Sequence, residues 1–145
     1  MSVEENKALV LRAFAEFLNT GDTTLVDQYV APEFVRHALD GGPDVQSPEG
    51  VKMFVGALRA AFPDLEMVIE DIVAEDDKVV VRYTARGTHK GGFRGAAPTG
   101  NQVTWAGINI YREEGGQVME TWQLGDRLGM MQQMGLVPPM GRTET

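Results

Sequence analysis

The hydrophobic period of this chain changes near its middle, and that change limits the folds open to it. Up to Phe62 apolar residues recur at helical spacing; from Leu65 to Leu124 they follow the pattern of strands. Ser2-Val3-Glu4-Glu5 has the form of a capping box, and Val10, Ala13, Phe14, Phe17 and Leu18 then mark one helical face. Asn19-Thr20-Gly21 supplies the stop. Thr24 to Val30 predicts a second short helix, and Pro32 opens a further turn ending near Arg36. Asp40-Gly41-Gly42-Pro43 has loop chemistry. Ser47-Pro48-Glu49 starts another helix, with a cap, a proline at the first position and an acid at the positive helix end. Its buried stripe is Val51, Phe54, Val55, Leu58 and Phe62, and Pro63-Asp64 ends it.

Strands are predicted over Leu65 to Glu75, Lys78 to Thr88, Gln102 to Arg112 and Gln117 to Leu124. Asp76-Asp77 and Glu114-Gly115-Gly116 turn the chain, and a Gly/Pro-rich loop runs from Gly91 to Gly100. Asp126 to Met134 reads as a last short helix, stopped by Gly135. Helices first, then strands with short turns, predict an α+β fold with helices packed on one side of a curved sheet. Such a sheet encloses a cone, which holds a small ligand if side chains leave it unfilled. Phe14, Phe17, Tyr83, Trp105, Trp122, His37 and Asn109 are its candidate lining, with core packing the plainer role for any one aromatic. Which strand face points inward depends on register.

Composition narrows the function. At 145 residues, 43% hydrophobic and 23% charged, the chain is sized for one domain over residues 1–145, with a core of about 3–137 and a tail from 138. There is no cysteine, so thiol chemistry and thiolate metal sites are excluded, and two histidines leave little for a histidine metal site. No apolar run approaches the ~18 residues of a membrane span, and the acidic start is unlike a signal peptide. A cytoplasmic protein with no membrane role is expected. The net charge is −8; the first 72 residues hold 13 acids against 5 bases, and the remainder 8 of each. That sign argues against nucleic acid as a partner. Arg82 and Arg86, in a stretch without acids, either meet an anion or face water on one side of a strand.

Phe62-Pro63-Asp64-Leu65, Gly87-Thr88-His89-Lys90-Gly91, Pro98-Thr99-Gly100, Trp122 with Asp126 four residues on, and Leu128-Gly129-Met130-Met131-Gln132-Gln133-Met134-Gly135 together resemble the SnoaL-like polyketide cyclases, or ester cyclases, of the NTF2-like superfamily. The resemblance runs from the first helix to about Pro138. It implies an NTF2-like cone with a curved, mostly antiparallel sheet and the N-terminal helices over its concave face. It also implies a hydrophobic, carbonyl-rich small-molecule substrate, ring closure by intramolecular aldol condensation with no metal or organic cofactor, and assembly as a homodimer or tetramer. Ile108 and Ile110, or their alternates, are the apolar positions that such an assembly would cover.

By motif position Asp126 corresponds to the family's general acid/base. A methylene flanked by carbonyls is acidic enough for a carboxylate to deprotonate when the two are held together. The alternative role for Asp126 is capping the last helix. The resemblance makes His37 and His89 further catalytic candidates. His37 stands in a broken His-Ala-Leu-Asp version of the family setting, as a substrate hydrogen-bond donor or a helix-end histidine. His89 contacts substrate or holds the long loop to the sheet. Tyr83, Trp105, Asn109 and Trp122, with Phe14 and Phe17, are the substrate-binding candidates. Glu120 shares strand parity with Trp122, as a pocket residue or half of an ion pair. Because the superfamily carries several functions on one fold, the competing expectations are a non-catalytic binding protein and a related isomerase, dehydratase or hydrolase.

Overall fold

The computed structural model describes residues 2–138; the expected tail therefore lies outside the described residues from residue 139 on. Helix α1 spans Val3–Ala13, and its capping box forms, with Ser2 Oγ accepting from the Glu5 amide at 3.1 Å. It continues into a π-helical turn, Phe14–Leu18, that buries both Phe14 and Phe17. Asn19 then brackets the backbone of Met67, donating from Nδ2 to the carbonyl at 3.0 Å and accepting from the amide at 2.7 Å. Gly21 ends the segment at φ +80°, where its lack of a Cβ is needed.

The second helix, α2, is only Val26–Tyr29. The turn expected near Pro32 is instead part of strand β1, Val30–Ala38. This is a correction with a tertiary cause. Val30 and Val35 to Ala38 pair in parallel with the last strand, with a bulge between Val30 and Val35, and a sequence-distant partner overrides the local signal. Strand β2, Val45–Gln46, is a two-residue addition to β1. Helix α3 is Ser47–Ala61. Its first residue has φ +67°, and Ser47 Oγ accepts from the Gly50 amide at 3.3 Å.

Strands β3 (Glu66–Glu75), β4 (Lys78–Thr88), β5 (Gln102–Glu114) and β6 (Gln117–Gly125) follow as antiparallel neighbours, and helix α4 is Arg127–Gln133. The six-stranded sheet has the order β2-β1-β6-β5-β4-β3. It is curved and open, and the helices cover its concave face. Register shifts at Ile69/Asp71 and Arg112/Glu113 mark further irregularities of the ladder. Val79, Val81, Tyr83 and Ala85 of β4 face inward with Val103, Trp105 and Asn109 of β5, all nearly inaccessible to solvent.

Three of the motifs that carry the resemblance, Phe62–Leu65, Gly87–Gly91 and Pro98–Gly100, gather into one knot at the end of α3. Asp64 accepts from the Thr88 amide and hydroxyl, both at 2.7 Å, which holds its carboxyl below the usual range. A Cβ on Gly87 would come within 2.8 Å of Phe62, and one on Gly91 within 2.3 Å of the Ala60 carbonyl oxygen. The Lys90 amide donates to the Ala61 carbonyl at 2.9 Å. His89 is fully buried, packs on Phe62 at a ring distance of 5.6 Å, and pairs Nδ1 with Thr99 Oγ1 at 3.0 Å. Its backbone meets Asn101 and Gly100 across the loop at 2.9 and 2.8 Å. The motifs thus tie the long loop to the sheet and the helix.

Candidate active site

Strand parity and the covering helices leave the concave side hollow. Counted out to its mouth the space is about 1100 Å³, of which about 120 Å³ is room for the centres of water molecules. A dry cavity of roughly 150 Å³ admits a benzene ring, so the enclosed part suits about one ring and a larger ligand extends through the mouth. Phe14, Phe17, Tyr83, Trp105 and Asn109, all expected as substrate contacts, do line it. Tyr83 lies over Gly107: a Cβ there would sit 2.4 Å from the phenolic oxygen. The smallest residue at 107 therefore sets the position of this ring.

The polar groups of the hollow are hydrogen-bond donors and acceptors aimed inward. Tyr111 Oη accepts from Asn109 Nδ2 at 2.9 Å, and Asn109 Oδ1 is buried without a partner among the described residues. Gln123 Nε2 stands 3.4 Å from Tyr83 Oη. Burial pushes both tyrosine hydroxyls above their ordinary pKa, so they remain neutral donors at any physiological pH. Arg36, Asp40, Arg94 and Arg127 complete the charged part of the lining. None of these four was singled out as a site residue by the sequence. Arg36 sits in the stretch expected to be a turn, and only its pairing with Thr121 of β6 turns it inward.

Six residues singled out by the sequence, His37, His89, Trp122, Glu120, Arg82 and Arg86, stand elsewhere, which corrects their expected place in the pocket. His37 and Trp122 pair across β1 and β6 on the opposite side of the strands, stacked with ring centroids 5.6 Å apart. His37 Nε2 is 2.6 Å from Glu120 Oε2, and Glu120 also accepts from Arg112 at 3.2 Å. The His37 hydrogen bond, then Arg112, hold the Glu120 carboxyl below its ordinary pKa. His89 is in the structural knot. Arg82 and Arg86 lie exposed on the outer face, paired with Asp71 and Glu66 at 2.6 Å.

Asp126 caps α4: its Oδ1 accepts from the Gly129 amide at 2.9 Å. Oδ2 lies over Gly129, where a Cβ would approach it to 2.2 Å, and accepts no hydrogen bond from a described residue. The residue is exposed and stands at the rim, since Gly125 and Arg127 on either side of it line the hollow while Asp126 does not. Gln133 fixes the helix to β5 through a two-way bond with the Thr104 backbone, both arms 2.8 Å.

Known proteins resemble this chain in sequence and fold. Residues 8–134 match the sequence profile of the family described as SnoaL-like polyketide cyclase. The aklanonic acid methyl ester cyclase AcmA of Streptomyces galilaeus is 27% identical over 127 residues, 86% of this chain and 88% of that one. A candidate SnoaL-like polyketide cyclase of Jannaschia sp. CCS1 superposes with a TM-score of 0.84 at 29% identity, covering 94% of each chain. AclR of Streptomyces galilaeus, titled a candidate hydroxylase, superposes with a TM-score of 0.84 at 32% identity, covering 97% of this chain and 87% of its own. A match over residues 8–134, nearly the whole fold, makes this chain a member of the SnoaL-like polyketide cyclase family.

Proposed function

We propose that the protein closes a ring in a hydrophobic, carbonyl-rich small molecule by cofactor-independent intramolecular aldol condensation, with Asp126 as general acid/base. The observation that carries this reading is the largely apolar hollow, into which Tyr83, Asn109 and Tyr111 bring neutral donors and acceptors. In the reaction a carboxylate takes the proton from a methylene between carbonyls. The resulting enolate carbon attacks a second carbonyl carbon, and the new alkoxide receives a proton, so that product and substrate have equal mass. The Tyr83 and Tyr111 hydroxyls suit carbonyl oxygens that gain negative charge. The apolar walls fold the substrate so that its two carbons meet. Oδ2 of Asp126 at the rim, without a hydrogen-bond donor among the described residues, supports its role in moving the proton.

The names of the curated relatives, aklanonic and nogalonic acid methyl ester cyclases, supply the first compounds to try. Conversion to an isomer of unchanged mass, followed by mass spectrometry and the change in absorption, is the expected result. A compound that binds saturably and returns unaltered would favour a non-catalytic binding protein, which the exposed, capping position of Asp126 also fits. A change of mass would indicate hydrolysis or dehydration instead.

A second copy of the chain is the proposed partner of the convex face. Ile108 and Leu124 are neighbours in register there and remain 49% and 51% exposed. Apolar side chains side by side on a sheet face are stabilised by cover. Light scattering on the eluting protein should give at least a dimer mass, and Ile108→Glu should shift it to the monomer; a wild-type monomer would refute the pairing.

A further inference from the structure

The whole chain carries −8, yet the charged residues that line the hollow are three arginines and one aspartate. The arginines arrive from different segments: Arg36 from β1, Arg94 from the loop between β4 and β5, Arg127 from the start of α4. They converge near Asp40. A Cβ built on Gly42 would lie 3.2 Å from Asp40 Oδ1 and 3.5 Å from Arg127 Nη1, so both reach the same point. None of the three makes an ion pair within 4 Å among the described residues, whereas the exposed Arg82 and Arg86 do.

Two of the inward arginines, Arg36 and Arg94, are held at a cost. The Arg36 guanidinium carbon lies 4.0 Å from the centre of the Phe54 ring, and its Nε is buried with no partner among the described residues. Stacking of this kind fixes the guanidinium plane and leaves its edge free for a planar oxyanion. Arg94 adopts φ +51°, a conformation that favours glycine, in a turn closed by the Phe93–Ala96 bridge, and its Nη1 is also buried and unpartnered. Burial lowers the pKa of both groups, and each is lowered further by a neighbouring arginine, with Asp40 opposing. Buried guanidinium groups without partners are stabilised by an anion that supplies the missing hydrogen bonds.

We propose that the hollow takes its ligand as a carboxylate, bound by Arg36 with Arg94 and Arg127 beside it, and prefers this anion to the neutral methyl ester. This rests on the hollow being the substrate site. It assigns substrate specificity to residues outside the motifs that carry the resemblance.

The test compares 9,10-anthraquinone-2-carboxylate with its methyl ester by calorimetry on the full chain. The acid should bind at least about tenfold more tightly, as expected for a charge-assisted contact in a partly buried site. Arg36→Met should remove that preference while leaving the ester affinity in place, and Arg82→Met, on the outer face, should alter neither. The wild-type comparison needs no variant and stands even if Arg36→Met fails to fold. Equal binding of acid and ester, abolished for both by filling the hollow with Val55→Trp, would overturn the anion preference and leave the substrate site intact. Arg36→Met weakening both probes equally would overturn it as well, assigning the side chain to packing. Absence of binding by either probe would overturn both the preference and the reading of the hollow on which it rests.

Discussion

Asp126→Asn should lower turnover by about 100-fold or more, the usual scale for removing a general base, while the protein stays folded with its hollow unchanged. The substitution is informative because of what it preserves. Asparagine caps helices as well as aspartate does, so the bond from the Gly129 amide to Oδ1 survives. The charge at the positive end of α4 is lost, at a cost of about 0.3–1 kcal/mol. Asp126→Ala, by contrast, removes cap and charge together and confounds stability with catalysis. The measurement is turnover of the ring-closing substrate, set beside urea unfolding of the same variant. Undiminished turnover would move the proton transfer elsewhere, and Asp40 is the carboxylate that lines the hollow itself. Asp40→Asn is therefore the companion variant, and a loss confined to it would reassign the base.

Glu113→Gln should stabilise the protein at pH 8 and abolish a slope in stability between about pH 4.5 and 8. Glu113 is 2% exposed at the far end of β5, just past the register shift, with neither carboxylate oxygen partnered among the described residues. Burial alone raises its pKa to about 8. The sign follows from proton counting. Below the ordinary carboxylate pKa both folded and unfolded chains hold the proton, and stability is unaffected. Between that value and about 8 the folded state keeps a proton that the unfolded state releases, so rising pH favours unfolding, by at most about 1.4 kcal/mol per unit. Glutamine has nearly the same shape and does not titrate. Its advantage should grow with pH to a few kcal/mol, offset in part by about 1–3 kcal/mol for a buried amide without partners. Urea unfolding at pH 5, 6, 7 and 8 measures both lines. Parallel lines for the two proteins would show that Glu113 does not carry the effect. Asp64 acts with the opposite sign: its lowered pKa adds stability that disappears as pH falls through the acid range.

In this chain the motifs that carry the resemblance mostly hold the fold together. Phe62-Pro63-Asp64 and Gly87-Thr88-His89 meet because Asp64 needs the Thr88 donors and Phe62 needs the space of Gly87. Gly129 leaves room for the Asp126 carboxylate, and Gln133 ties α4 to β5. These contacts explain why a fold could be recognised at once from short motifs while the hollow's chemistry could not. Arg36, Arg94 and Arg127 lie outside the motifs that carry the resemblance, and what sets them apart is where they converge.

Local pattern alone determined the helical first part, the capping box at Ser2, the four long strands and the two alternating faces of β4 and β5, but not which face points inward, because periodicity and caps depend on near neighbours. Tertiary structure decided the rest. β1 became a strand through its parallel partner β6. The same pairing turned His37, Glu120 and Trp122 outward and Arg36, Thr121 and Gln123 inward, since a shift of one residue exchanges the faces of a strand. The cationic end of the hollow arises only when a strand, a loop and a helix start meet, and no spacing within the sequence encodes that distance.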